Sequence, residues 1–288
     1  MQNTKKRIAI VHPWEGAKFT EPIQWDGLHA ALKIVGQKHK VDWFLAGDVP
    51  DDSYDWIIPW GVGSIPFNNT IEKYKGRKAL LCAGHPQDTA NFEKFEAIFV
   101  ESPAVAKQIL HPKVVLAFGT DIDYFKPEEE EKIFDVFFPA TYSPWKRQDL
   151  FAEATKGLKA LTCGVIQPDG VEIFKKCQES GYTMAGLVPS KLIAKLYNMS
   201  KVVCITAWHG SERTALEAMA SDRPLVITKD NELVCSLAGN GYCVEPKPEK
   251  IRYIVEKLLD DTVDMRTHVM QRYTHYHYAK RVLEVIES

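Results

Sequence analysis

Short apolar runs alternate with longer segments of helical periodicity from one end of the chain to the other. That alternation predicts βαβ units built on parallel sheets. The first strand is predicted at 7–12. A helix follows behind a cap at Asp26, with Leu28, Ala31, Leu32 and Val35 on one face. Further strands are predicted at 41–45, 56–59, 79–83, 97–100 and 114–118. Between the last two, Ser102-Pro103 is a cap residue followed by proline in the first helical turn.

A break then falls at Phe125-Lys126-Pro127, which runs into the acidic tract Glu128-Glu129-Glu130-Glu131. The alternation restarts beyond it, with strands predicted at 134–138, 159–165, 183–187, 202–206 and 224–228. Helices are predicted between them at 147–156, 170–180, 190–198 and 212–220. No element is predicted between 229 and about 264. From about Met265 onward the chain reads as long, helical and rich in aromatics. The expected fold class is α/β, with two Rossmann-like lobes in tandem and ligands bound beyond the carboxyl ends of the strands, in a cleft shared by the lobes. The expected division is 1–127, 128–270 and a terminal helix at 271–288.

Composition narrows the partners. The 288 residues carry 36 Lys+Arg against 38 Asp+Glu, a formal charge of -2, and 45% hydrophobic residues. Splitting the chain after Pro127 gives 15 basic and 15 acidic residues, then 21 and 23, so neither half is basic. Attachment to nucleic acid or anionic membrane by bulk charge is therefore disfavoured. The start of the sequence is too short and too quickly polar for a signal peptide, and no stretch approaches the roughly 18 apolar residues of a membrane span. The six cysteines contain no CxxC pair and read as reduced thiols of a cytoplasmic protein. No metal-ligand spacing is present: His275 and His277 stand two apart, which on a helix points them to different faces.

The most informative stretch is His209-Gly210-Ser211-Glu212-Arg213-Thr214-Ala215-Leu216-Glu217-Ala218-Met219-Ala220. It leaves a strand, crosses a small-residue turn and enters a helix, whose unpaired N–H groups and positive dipole end suit a phosphate. Glu217 lies deeper, flanked by Ala and Met, where a carboxylate needs a partner. A ribose diol and a neighbouring Arg or Lys both meet that need.

This stretch resembles the donor-binding signature of retaining GT-B glycosyltransferases of the glycosyltransferase 4 type: an acidic residue, seven others, then Glu-Ala-Met. Other segments are similar to the family in the same order. They are Gly119 through Pro127, Ser143-Pro144-Trp145-Lys146-Arg147-Gln148-Asp149-Leu150, Gly186-Leu187-Val188-Pro189 with Leu196-Tyr197-Asn198-Met199-Ser200, and Tyr278-Ala279-Lys280-Arg281 through Glu287. Together they span about 120 to 288, while the amino-terminal half matches only in pattern. The resemblance implies a GT-B fold whose C-terminal helix crosses back to the first lobe. It also implies metal-independent transfer from a nucleotide-sugar, UDP- or GDP-linked, with no other cofactor. Lys146 would contact the diphosphate, Glu217 the ribose, and Leu187, Val188 and Pro189 the base. Gly210, Ser211, Glu212 and Arg213 would stand near the phosphates or sugar. His85 falls where the family often keeps a first-lobe histidine near sugar and acceptor; an exposed loop histidine is the competing reading.

Three positions depart from the family pattern. His209 replaces the first acidic residue, which bears on sugar identity and on activity. Thr141 stands where an arginine is usual, leaving Arg147 or Arg213 to substitute. The glycine-rich turn after the first strand is absent, and Gly16 is the only glycine in His12 through Thr20. The acceptor side is expected to use Trp14, Gly16 and Trp60, since aromatic faces stack on sugars or bases, with ordinary packing as the alternative. A saccharide or glycoconjugate is the first expectation for the acceptor. The alternatives are a hydroxymethylated DNA base, and a non-catalytic nucleotide-sugar-binding protein of the same fold.

Overall fold

The structure, a computed structural model, describes residues 4–12, 27–45, 51–60, 74–82, 91–239 and 241–288. The chain divides into two compact units: residues 1–119 with 274–288, and residues 120–273. The expected cut after Pro127 falls inside the second unit, because Arg266 ties that segment down through the carbonyls of Ile122 (3.1 Å) and Phe125 (2.9 Å). The chain enters and leaves this unit at one place, where Thr120 N donates to Tyr273 O at 2.9 Å.

In the first unit, β1 (Arg7–His12), β2 (Lys40–Leu45), β3 (Trp56–Pro59), β4 (Arg77–Cys82), β5 (Ala97–Val100) and β6 (Val114–Leu116) form a parallel sheet in the order β2-β1-β3-β4-β5-β6. Its strands read as continuous apolar runs because both faces are covered; Ile8, Ile10, Trp56, Ile57, Ile58 and Ile98 are all buried. Helix Gly27–Lys38 turns the predicted face inward, burying Leu28, Ala31, Leu32 and Val35. The terminal helix His275–Glu287 packs along it, burying Tyr278, Val282 and Ile286. Lys6 Nζ holds the Ile286 carbonyl, and His39 Nε2 stands 3.3 Å from Glu287 Oε1. The terminal helix thus belongs to the first unit, as the family resemblance implied.

In the second unit, β7 (Phe134–Pro139), β8 (Ala160–Cys163), β9 (Thr183–Met184), β10 (Ser200–Ile205), β11 (Leu225–Thr228) and β12 (Tyr242–Val244) form a parallel sheet in the order β12-β11-β10-β7-β8-β9. This is the doubly wound order, with the strand order reversing between β7 and β10. The loops leaving those two strands meet at the carboxyl edge, where Trp208 N donates to Trp145 O at 3.1 Å.

Several predicted bounds shift for identifiable reasons. The strand predicted to reach 165 stops at Cys163. Gly164 has φ of +153°, and a Cβ there would lie 2.1 Å from the Ala140 carbonyl oxygen. The strand predicted at 183–187 ends at Met184, before Gly186 at φ +62°. Helices Glu232–Ala238 and Pro248–Leu258 and strand β12 occupy the region where no element was predicted. The terminal segment is two helices, Arg266–Arg272 and His275–Glu287. Thr274 caps the second through its hydroxyl, which accepts from His277 N at 3.2 Å. Asp26, the predicted cap of the first helix, lies outside the described residues.

Ile286 is fully buried on the terminal helix, which packs against helix Gly27–Lys38. Replacing it with alanine removes apolar contacts and leaves a cavity. Urea denaturation of Ile286→Ala is expected to show a loss of about 2–5 kcal/mol.

Candidate active site

The predicted donor-side residues converge on the carboxyl edge of the second sheet. Lys146 ends the short 3-10 turn Pro144–Lys146 after β7, and Ser211 follows β10 at the start of helix Glu212–Ala220. The Lys146 ammonium donates to Ser211 Oγ at 2.8 Å and to the His209 carbonyl at 3.3 Å. It therefore lies over the switch point, at the positive end of the helix. Burial there pulls its pKa down from 10.5 to about 8, against an opposing attraction from Glu212.

The turn under Lys146 depends on glycine. Gly210 has φ of +72°, and a Cβ there would lie 2.9 Å from Lys146 Nζ. Ser211 follows in the left-handed region at φ 78°. Glycine adopts this region freely but Ser211 is strained there, and the loop is held in place by bonds from three elements. Asn231 Nδ2 donates to the carbonyls of Ala207 (2.8 Å) and Gly210 (2.9 Å), while its Oδ1 caps helix Glu232–Ala238 by accepting from Val234 N. Thr206 Oγ1 donates to the carbonyls of Lys146 (3.1 Å) and Arg147 (2.9 Å).

Arg147 completes this bracing. Its Nε donates to Thr206 O at 2.7 Å, and its terminal nitrogens donate to both Asp230 carboxylate oxygens at 2.8 and 2.9 Å and to Thr228 Oγ1 at 2.9 Å. Burial alone would raise the Asp230 pKa, but the bonds from Arg147 and Thr228 outweigh it and hold the carboxyl below its ordinary value. The guanidinium predicted to face the donor is thus turned onto the loop after β11.

Glu217, one turn into helix Glu212–Ala220, is 9% exposed. Its Oε2 accepts from the hydroxyl of Tyr197 at 3.0 Å, so one partner is a phenol that the local sequence did not announce. Tyr197 is fully buried, its ring edge-on to Phe125 and Phe137, and burial followed by the Glu217 charge raises its pKa well above the ordinary value. Glu212 is buried beside Lys146, Arg213 is exposed on the same first turn, and His209 is half-buried next to the half-exposed Trp208. Leu187 and Pro189 are exposed and Val188 is half-buried in the loop after β9, which reaches the β8 end through Gly164 N donating to Gly186 O at 2.7 Å. Tyr197, Thr206, Thr228, Asp230 and Asn231 were not singled out as site residues from sequence. The signal for the last two was a polar Lys-Asp-Asn following a buried strand, with Asn231 at cap spacing from Val234.

In the first unit, Trp60 is half-buried at the end of β3, with its N donating to Val11 O at 2.8 Å. His85, Trp14 and Gly16 lie outside the described residues.

This fold and edge site define a class. Residues 134–261 match the family model described as Glycosyl transferases group 1. A glycosyltransferase from Rickettsia africae superposes with a TM-score of 0.74 at 16% identity, over 99% of this chain and 98% of its own. Alr3699/HepE of Anabaena, solved with UDP and glucose, gives 0.73 at 14% identity over 98% and 99%. Staphylococcus aureus TarM, solved with fondaparinux, α-GlcNAc-glycerol and UDP, gives 0.66 at 16% identity, with 81% of this chain covering 55% of TarM. No curated protein matches the sequence significantly. The chain has the two-lobe GT-B fold of the glycosyltransferases. The match to the glycosyl transferases group 1 model lies wholly within its second unit. No helix among the described residues is long and apolar enough to cross a membrane.

The lowered pKa of Lys146 gives a pH signature. The unfolded chain holds this proton up to about 10.5 and the folded chain only to about 8, so wild-type stability rises with pH through that window. Against Lys146→Met, wild type is expected to gain on the order of 1–3 kcal/mol between pH 8 and 10.5 in urea titrations.

Proposed function

We propose that the chain is a retaining, metal-independent glycosyltransferase. It takes a sugar from a nucleoside-diphosphate donor and passes it to a hydroxyl of a saccharide or glycoconjugate. The observation that carries this reading is the buried Lys146 ammonium at the start of helix Glu212–Ala220, 2.8 Å from Ser211 Oγ at the switch point. A desolvated cation at a helix amino end, with Glu212 beside it, favours an incoming diphosphate. A UDP-linked sugar is the first donor to test, given the UDP and glucose bound by the Anabaena protein, with a GDP-linked sugar second.

In this reading, the bond between the sugar anomeric carbon and the phosphate oxygen breaks through an oxocarbenium-like transition state. Negative charge grows on the leaving diphosphate, where Lys146, the helix start at Ser211 and the exposed Arg213 oppose it. With its pKa near 8, Lys146 is mostly protonated at neutral pH, and an arriving diphosphate raises that value further. The acceptor hydroxyl attacks from the face the phosphate leaves, and a phosphate oxygen takes its proton. The sugar therefore keeps its configuration. Glu217, steadied by Tyr197, accepts hydrogen bonds from the ribose and does no acid–base work. Leu187, Val188 and Pro189 line the base side, and His209 and Glu212 border the sugar. Arg147 serves the site through the loops it braces.

Glu217→Ala and Lys146→Ala are each expected to lower donor turnover about 10²-fold or more, as loss of one charge-stabilising contact does. Near-normal activity in both variants overturns the assignment. The His209 substitution gives one specific second reading, a nucleotide-sugar binder without transfer. Thermal stabilisation by UDP with no sugar released from any donor would favour it.

A further inference from the structure

Outside this site, the two cysteines of the second unit's far strand edge form a pair. Cys235 lies on helix Glu232–Ala238 and Cys243 on β12, and their sulfurs are 2.8 Å apart. No CxxC spacing announces this contact. It arises because the chain, after helix Glu232–Ala238, returns to pair β12 with β11. The other four cysteines are different. Cys82, Cys163, Cys177 and Cys204 are buried, and desolvation pushes each thiol up to about 12, which leaves them inert as nucleophiles. Cys243 is exposed, and its contact with the Cys235 sulfur holds its pKa below the ordinary value, while that of Cys235 is raised.

We propose that Cys235 and Cys243 are a reversible thiol modification site, a dithiol that closes to an intrachain disulfide by exchange with a small-molecule disulfide of the glutathione type. The exposed Cys243 gives up its proton to solvent and attacks one sulfur of the small disulfide. A mixed disulfide forms, and one small thiolate leaves and is protonated. Cys235, already in contact, loses its proton and attacks the Cys243 sulfur, expelling the second small thiol. Two protein thiols are oxidised to one disulfide, and one small disulfide is reduced to two thiols. A dithiol reductant reverses the sequence.

Closure ties helix Glu232–Ala238 to β12, and the cap of that helix is Asn231, which holds the carbonyls of Ala207 and Gly210. The redox state of the pair therefore reaches the loop under Lys146, whatever ligand that edge binds.

Oxidised glutathione is added to the full chain, followed by peptide mapping and amide hydrogen exchange. Wild type is expected to lose two hydrogens in mass, to yield a single cross-linked peptide joining Cys235 to Cys243, and to leave the other four cysteines unmodified. Cys235→Ser is expected to stop at a stable mixed disulfide on Cys243. Exchange across 207–211 is expected to slow about tenfold in the closed form. A mixed disulfide that persists on wild-type Cys243, or reaction no faster than at the buried cysteines, overturns the modification site. Equal exchange across 207–211 in the two forms overturns its link to the loop.

Discussion

The Arg147 guanidinium is the fixed point of the second unit's functional edge. Its planar fork grips both oxygens of Asp230, its Nε takes the Thr206 carbonyl, and Thr206 returns a bond to the Arg147 carbonyl. One side chain thereby ties together the loops leaving β7, β10 and β11. A lysine could not do this, because a single ammonium lacks the paired planar donors. With those loops immobilised, the strained turn at Gly210 and Ser211 becomes affordable, and Lys146 stands at the helix start in a defined position. The energetic logic is that of preorganisation: charge is placed before a ligand arrives, so little rearrangement is needed when it does.

The same edge separates two kinds of cation. Arg147 is spent on structure and is held by a carboxylate. Lys146 is bonded to a hydroxyl and a carbonyl, and its burial is unfavourable enough to shift its pKa. The division follows the chemistry of the side chains. A guanidinium remains charged in any such environment and suits a permanent joint, whereas a desolvated ammonium gains most from an incoming anion.

Much of this was legible in the sequence, and what was not has a physical reason. The strands Phe134–Pro139 and Ser200–Ile205 and the helix Glu212–Ala220 could be read because buried parallel strands and amphipathic helices leave local patterns. Lys146 and Glu217 came from motif order. The Arg147–Asp230 fork could not be read, since its partners are 83 residues apart and only the sheet order brings them together. Tyr197 stands in a segment similar to the family, but its hydroxyl reaches Glu217 across 20 residues of sequence, a contact that no spacing encodes. The pairing of Cys235 with Cys243 is of the same kind, set by the return of β12 after a short turn.

The bond from Thr120 N to Tyr273 O closes the second unit on itself, while the first unit draws its last helix from residues 274–288. The second unit is thus an insertion within the first. Synthesis on the ribosome would complete residues 120–273 before the helix that finishes the first unit has been made. The segment carrying Lys146 and Glu217 would then be present while helix Gly27–Lys38 still awaits helix His275–Glu287, which packs against it. During that interval the nascent chain exposes the apolar face of Gly27–Lys38, so the timing of the final helix governs how long the first unit is open to misassociation.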